Sequence, residues 1–123
     1  MSKARLELPC REDMILVARM TTSGIAARAE LSIDDVEDMK LAADEVFRAL
    51  LFQNAGYSSV VFGYELSEKQ LSFTAEGIGG TKTVGDYRPD MLISVLNELC
   101  GGAEADCENG VLKAVTVKSH EER

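Results

Sequence analysis

The stretch SIDDVEDMKLAADEVFRAL, from Ser32 to Leu50, carries the strongest structural signal in the chain. Ser32 is a suitable N-cap, and the acidic residues just after it favour the positive end of a helix dipole. The apolar residues that follow at alternating steps of three and four are Val36, Met39, Ala43, Val46 and Leu50. This spacing predicts an amphipathic helix of about five turns, with one apolar stripe facing a core.

Strand and helix signals follow this helix along the chain. Residues 58–66 and 70–76 alternate apolar and polar side chains, and Ser67-Glu68-Lys69 between them predicts a hairpin turn. A third helix is expected to begin with Pro89 as its first residue. Its apolar side is expected to contain Met91, Leu92, Val95, Leu96 and Leu99. Two last strands are joined at Glu108-Asn109-Gly110, a tight-turn signal.

The N-terminal side predicts a strand over residues 4–8 and a helix from about Asp13 to Glu30. The resulting order, β-α-α-β-β-α-β-β, favours an α+β fold. We expect a two-layer sandwich of about three helices on one face of a mostly antiparallel sheet of four to five strands. One domain, residues 1–123, is predicted, with an ordered core of about 4–118 and a frayed tail over 119–123.

Composition restricts the classes of partner. The chain has 123 residues, of which 46% are hydrophobic, so one core can form without disulfides or metal ions. Its net charge of −8 argues against binding to nucleic acid or to anionic lipid. No apolar run reaches the roughly 20 residues of a membrane span, and three widely spaced cysteines do not make a disulfide framework. We therefore expect a cytoplasmic protein without a nucleic-acid or membrane partner.

Few residues offer chemistry. The single histidine, His120, lies in the tail, which argues against Ser-His-Asp and Cys-His catalysis. No Cys/His spacing predicts a metal site. Thr81-Lys82-Thr83 follows glycines but lacks the spacing of a phosphate-binding loop. The remaining candidates are Glu45, on the strongest helix, and the turn Gly77-Ile78-Gly79.

The segment Glu37-Asp38-Met39-Lys40-Leu41-Ala42-Ala43-Asp44-Glu45, followed by a hairpin, a glycine turn, a third helix and a last hairpin, resembles a known family. It is similar to the anti-sigma factor serine kinases of bacterial partner-switching systems, a branch of the GHKL ATPase superfamily. The resemblance covers about residues 4–118 and implies a Bergerat, or histidine-kinase-like ATPase, fold. It implies a sigma factor as one partner, held inactive, and a STAS-type anti-anti-sigma protein as another, phosphorylated on a serine. It also implies a possible homodimer.

The resemblance also implies ATP and Mg²⁺ as cofactors and assigns roles to three residues. Glu45 matches the acidic residue that polarises the attacking hydroxyl. Gly77 and Gly79 match glycines whose missing Cβ atoms let the backbone approach adenine.

Three features of the family pattern are absent. Ala49 stands where the family has an asparagine that holds Mg²⁺, and Ala75 where it has an aspartate that accepts a hydrogen bond from adenine. The stretch 85–90 lacks a second Gly-x-Gly motif. We therefore expect an anti-sigma-like regulatory protein with a degenerate ATP site. Two alternatives remain: an active serine protein kinase that uses Glu45, and an unrelated α+β domain that packs differently and binds no nucleotide.

Overall fold

The computed structural model describes residues 2–121. The strands are β1 (Ser2–Pro9), β2 (Ser59–Ser67), β3 (Gln70–Ile78), β4 (Gly102–Glu108) and β5 (Val111–Lys118). The helices are α1 (Ile15–Arg28), α2 (Ile33–Phe52) and α3 (Asp90–Leu99), with a short 3-10 helix at Glu12–Met14. The element order is the predicted one.

The five strands form one antiparallel sheet in the order β1-β2-β3-β5-β4. One face of the sheet is buried under the helices, and alternate residues such as Val60, Phe62 and Phe73 project from it into the core. The predicted α+β sandwich is confirmed. The alternative of an unrelated domain required a different packing and is contradicted by this arrangement.

Helix α2 is formed as its sequence predicts. The Ser32 hydroxyl accepts a hydrogen bond from the amide of Asp35 at 3.1 Å, which satisfies one free amide of the first turn. Met39, Ala43, Val46 and Leu50 of the predicted stripe are buried, and Val36 at its start is partly buried against the core. Phe47 joins it and stacks on Phe62 of the sheet, with ring centroids 6.3 Å apart. Helix α2 and the sheet thus pack together through apolar side chains of one shared core.

Several boundaries differ from the sequence predictions. Gly77 and Ile78 continue β3, paired with Val60 and Ser59, so the glycine turn begins only at Gly79. The alternation of apolar residues weakens at Gly77, which made a strand end look like a turn.

Helices α1 and α3 are both shorter than expected. The first begins with a 3-10 turn and ends at Arg28 rather than Glu30. Pro89 is the N-cap of α3 rather than its first residue. Met91 is 79% exposed, because Leu92 and Leu96, one turn apart, already fill the core contact of this short helix.

The tail prediction is wrong at Ser119. Its side chain is buried, its hydroxyl accepts a hydrogen bond from the amide of Leu71 at 2.9 Å, and its own amide donates to the Leu71 carbonyl at 2.8 Å. These bonds extend the pairing of β5 with β3 by one residue. Residues 122 and 123 of the predicted frayed tail lie outside the described residues.

Two buried groups, the Tyr64 hydroxyl and the Cys100 thiol, predict that the fold loses stability at alkaline pH. Burial raises the pKa of Tyr64 to about 12, although its hydrogen bond with Thr22 opposes this. Burial, with Asp38 and Asp35 nearby, raises the pKa of the Cys100 thiol to about 12. Both folded-state pKa values lie above the unfolded ones, so this stability is complete below about pH 8.5 and is lost as pH rises towards 12.

We expect the free energy of unfolding to fall by roughly 2–4 kcal/mol between pH 9 and 11. Urea unfolding at pH 8, 9, 10 and 11 measures this. Cys100→Ala should reduce the fall in unfolding free energy that begins near pH 9, whatever its effect on stability at pH 8. An identical slope in both proteins would show that the thiol is not responsible.

Candidate functional site

A wedge opens in the sheet where β3 and β5 separate. The two strands pair from Ser72 and Lys118 to Glu76 and Ala114. Beyond Glu76, β3 pairs only with β2, while β5 shifts register against β4 near Asp106. The backbone of β5 at this end therefore needs hydrogen-bond partners from outside the sheet.

Two side chains that follow α2 fill this wedge. The Gln53 amide group donates to the Leu112 carbonyl at 2.7 Å, and its oxygen accepts from the Leu112 amide at 2.8 Å. The Tyr57 hydroxyl donates to the same carbonyl at 2.7 Å. Both backbone groups of Leu112 are thus satisfied by side chains.

The Tyr57 ring lies against two glycines. A Cβ atom built on Gly77 would stand 2.3 Å from the Tyr57 Cε2 atom, and one built on Gly80 would stand 2.5 Å from Cε1. Real Cβ atoms do not approach other atoms this closely, so each edge of the ring requires a glycine beside it. Burial raises the pKa of Tyr57, with smaller effects from Cys10 and Cys107, and its hydroxyl therefore remains a neutral donor.

The segment between β3 and α3, residues 79–89, crosses over the wedge, and we call it the strap. At one end, the amides of Thr81 and Lys82 donate to the Ala55 carbonyl at 3.0 and 3.1 Å, and the Lys82 ammonium donates to the Gln53 carbonyl at 3.2 Å. At the other end, the amides of residues 85 and 87 donate to the carbonyls of residues 109 and 110, both at 2.9 Å. The strap therefore joins the end of α2 to the tip of the β4–β5 hairpin.

That tip has the predicted Asn-Gly turn. Asn109 and Gly110 have φ angles of +53° and +75°, as a type I′ turn requires. A Cβ atom on Gly110 would stand 2.1 Å from the Gly85 carbonyl oxygen. The close approach of strap and hairpin thus depends on a glycine.

Glu45 lies apart from the wedge. Its side chain is exposed in the middle of α2, and no hydrogen bond or ion pair within residues 2–121 engages its carboxylate. Glu45, Ala49 and Gln53 share one side of the helix at steps of four, which puts Glu45 about 12 Å from Gln53 along the axis. The side chain between them, Ala49, is half-buried and packs on the core.

The other predicted residues, Gly77, Gly79 and Ala75, lie in three different environments. Gly77 contacts the wedge through Tyr57, whereas Gly79 has a φ of +76° and forms the turn beside Ser58. Ala75 is fully buried in the core. The structure thus brings Gly77 against Tyr57, whose hydroxyl shares the Leu112 carbonyl with the Gln53 amide group.

Curated proteins with similar sequences are serine-protein kinases named RsbW. The RsbW of Bacillus velezensis is 28% identical over 94% of this chain and 77% of its own length. Those of Bacillus cereus and Bacillus thuringiensis are 30% and 25% identical over 63% and 62% of this chain. The chain spans about half the length of these last two relatives. No protein-family model matches the sequence.

The family resemblance predicted from the sequence is confirmed. The site contains residues that the sequence did not indicate. Tyr57 was not singled out, and no local signal marks it, because its partners Gly77, Gly80 and Leu112 are distant in sequence. The contact of Gln53 has no local signal either, because its amide group binds Leu112, which is 59 residues away.

Asp44 is a second missed residue. Its carboxylate, 11% exposed, accepts hydrogen bonds from Arg19 of α1 at 3.0 Å and from Arg48 of α2. An arginine four residues after an acidic residue is a recognisable helix pair. The sequence could therefore have indicated half of this cluster, which joins α1 to α2 directly beside Glu45.

Five cavities of the described residues lie away from the predicted site. None of five includes Glu45, Gly77 or Gly79 in its lining. The same part of the chain holds no group of three or more His, Cys, Asp or Glu side chains arranged to bind a metal ion. Between residues 2 and 121, no helix has the length and apolar character that crossing a membrane requires.

Proposed function

We propose that the chain is an anti-sigma-factor-like regulatory protein of a partner-switching system, and that its ATP site is degenerate. The observation that supports this most directly is the Tyr57 ring between Gly77 and Gly80. In the family pattern, Gly77 leaves room for adenine. In this chain the same room is taken by a side chain of the protein itself.

The surrounding residues do not fit ATP and Mg²⁺. Ala75 has no acceptor for the adenine amino group, and losing one such buried partner costs about 1–3 kcal/mol. Ala49 has no ligand for Mg²⁺, although phosphoryl transfer depends largely on positioning and on the metal's charge. Gln53, the next polar side chain on this side of α2, is engaged by Leu112 through both its oxygen and its nitrogen.

The function that then remains is protein binding. The partner classes implied by the resemblance are a sigma factor, a STAS-type anti-anti-sigma protein, or both, and a second copy of the chain is possible. The first turns of α2 carry Asp34, Glu37 and Asp38 on or near the surface. This acidic end suits a basic patch on a partner.

An active serine kinase is the second candidate. Two observations favour it: the Glu45 carboxylate is exposed and makes no hydrogen bond or ion pair within residues 2–121, and the relatives are named serine-protein kinases. In that candidate Glu45 accepts the proton of a serine hydroxyl. Tyr57 must then leave the wedge before nucleotide can enter.

Thermal unfolding with millimolar Mg-ATP separates the two candidates. A ligand at 100 times its Kd stabilises the native state by about 2.7 kcal/mol, which shifts Tm by several degrees in a domain of this size. We expect no shift. A shift that disappears in Glu45→Ala supports the kinase instead, since an exposed side chain contributes little to stability by itself.

Pull-down experiments test the regulatory part of the proposal. The protein is mixed with sigma factors and STAS-type proteins from the same organism, with and without Mg-ATP. We expect one of them to be retained equally in both conditions. Retention that requires ATP contradicts the degenerate site, and no retention contradicts the regulatory role.

A further inference from the structure

The face of the sheet opposite the helices has a hollow at its centre. Gly63 leaves this space, since a Cβ atom built on it would meet no heavy atom within 4 Å. The hollow is a cavity of about 590 Å³. Its polar lining contains the cations Lys3, Arg5 and Lys118, the single carboxylate of Glu65, and the hydroxyl residues Ser72, Thr74 and Thr116.

The strand register fixes where these groups stand. Arg5 pairs with Gly63, Gly63 with Thr74, and Thr74 with Thr116, so these residues form one row across four strands. Lys118 lies in the next row, on the far side of the hollow from Arg5. Three strand spacings separate β1 from β5, or about 14 Å.

The hollow also offers hydrogen-bond donors. Thr74 and Thr116 share a hydrogen bond of 3.0 Å between their hydroxyl oxygens. One hydroxyl of the pair donates to the other, so one proton remains for a ligand. Together with the cations, this group of donors suits carboxylate oxygens.

Charge is unevenly distributed over this face. Three carboxylates lie at one end of this face, in a single row across the strands. They belong to Glu7, Glu76 and Asp106. The three cations lie at the other end with two carboxylates, Glu65 opposite Lys3 and Glu104 opposite Thr116, so this end keeps a small excess of positive charge in a chain whose net charge is −8.

The existing ion pairs of these cations are exposed. Lys3 is 3.7 Å from Glu65 and Arg5 is 3.6 Å from Glu7, with every one of these side chains at least 48% exposed. Exposed pairs of this kind contribute little to stability. Both cations can therefore exchange their present partners for those of a ligand.

We propose that this hollow is a docking surface for an extended acidic segment of a protein partner. Four extended residues span about 13 Å, so carboxylates four residues apart reach Arg5 and Lys118 at the same time. A small residue between them fits above Gly63. The hollow is wide and shallow, which suits a peptide better than an enclosed small molecule. This inference rests on the proposed regulatory function, to which it adds a surface and a partner chemistry.

A capped hexaglutamate peptide tests the surface, with capped hexaglutamine as the uncharged control. Titration of the isotope-labelled protein at low salt is followed by backbone NMR. We expect chemical-shift changes at Gly63, Thr74 and Thr116 with hexaglutamate only. Lys118→Glu should weaken binding about tenfold, whereas Arg88→Glu, an equal charge change outside the hollow, should have little effect.

Gly63→Val provides an uncharged test. The first added atom meets no heavy atom within 4 Å and the side chain enters the hollow, so we expect the fold to be retained and affinity for the peptide to fall about tenfold. Equal weakening by Lys118→Glu and Arg88→Glu overturns the proposal, because attraction is then non-specific. A sedimenting dimer that Gly63→Val dissociates also overturns it, since a second copy then occupies the face. No step uses nucleotide, so this experiment fails or succeeds independently of the Mg-ATP experiment.

Discussion

Gly77→Val is expected to lower the free energy of unfolding by about 3 kcal/mol, because its side chain must displace the Tyr57 ring. The first added atom alone would stand 2.3 Å from that ring. In an unobstructed strand the same change is stabilising, since valine favours extended backbone and glycine does not. The sign of the effect therefore reports whether the ring is present. Urea unfolding measures it.

Two further variants sharpen this test. Gly63→Val changes the same residue type in the neighbouring strand, where an added Cβ atom meets no heavy atom within 4 Å, and should be neutral or stabilising. Tyr57→Ala removes the ring, so Gly77→Val should cost at least about 1 kcal/mol less in that background than in the wild type. Equal costs in both backgrounds would mean that Tyr57 is not the reason for glycine at this position.

The glycines show how far sequence reasoning reaches at the site. A motif containing Gly77 and Gly79 correctly indicates that something approaches the backbone closely there. It does not indicate what approaches, because adenine and a tyrosine ring both require the missing Cβ. Tyr57 lies 20 residues before Gly77, and only the pairing of β2 with β3 brings the two together. This contact depends on tertiary structure and has no local signature.

The fold was easier to predict from the sequence than the site, because more of it depends on local signals. The stripe of α2 and the Asn109-Gly110 turn depend on residues within one or two turns of the chain, and both are present as predicted. The course of the strap depends on the Ala55 carbonyl and the β4–β5 tip, which are remote from it in sequence. Helix α2 illustrates both cases: the helix that carries Glu45 was predictable, but the hydrogen bonds of Gln53 at its end with Leu112 were not.

Asp44→Ala is expected to lower the free energy of unfolding by about 3 kcal/mol. The carboxylate is 11% exposed and binds both Arg19 and Arg48, so its removal takes away the ion-pair partner of both guanidinium groups. Part of the cost is avoided because the arginines are partly exposed, at 34% and 46%, and can turn towards water. Thermal and urea unfolding measure the loss.

Glu45→Ala is the matched control, since it removes the same kind of charge from the adjacent residue. Its side chain is exposed, so stability should change by no more than about 0.5 kcal/mol. A loss in Asp44→Ala no larger than in Glu45→Ala would contradict the structural role of Asp44. The contrast also separates two causes of lost function. A defect in Glu45→Ala reports on binding or catalysis, whereas a defect in Asp44→Ala reports on the packing of α1 against α2. These neighbouring carboxylates therefore require separate variants before any loss of activity is assigned to the site.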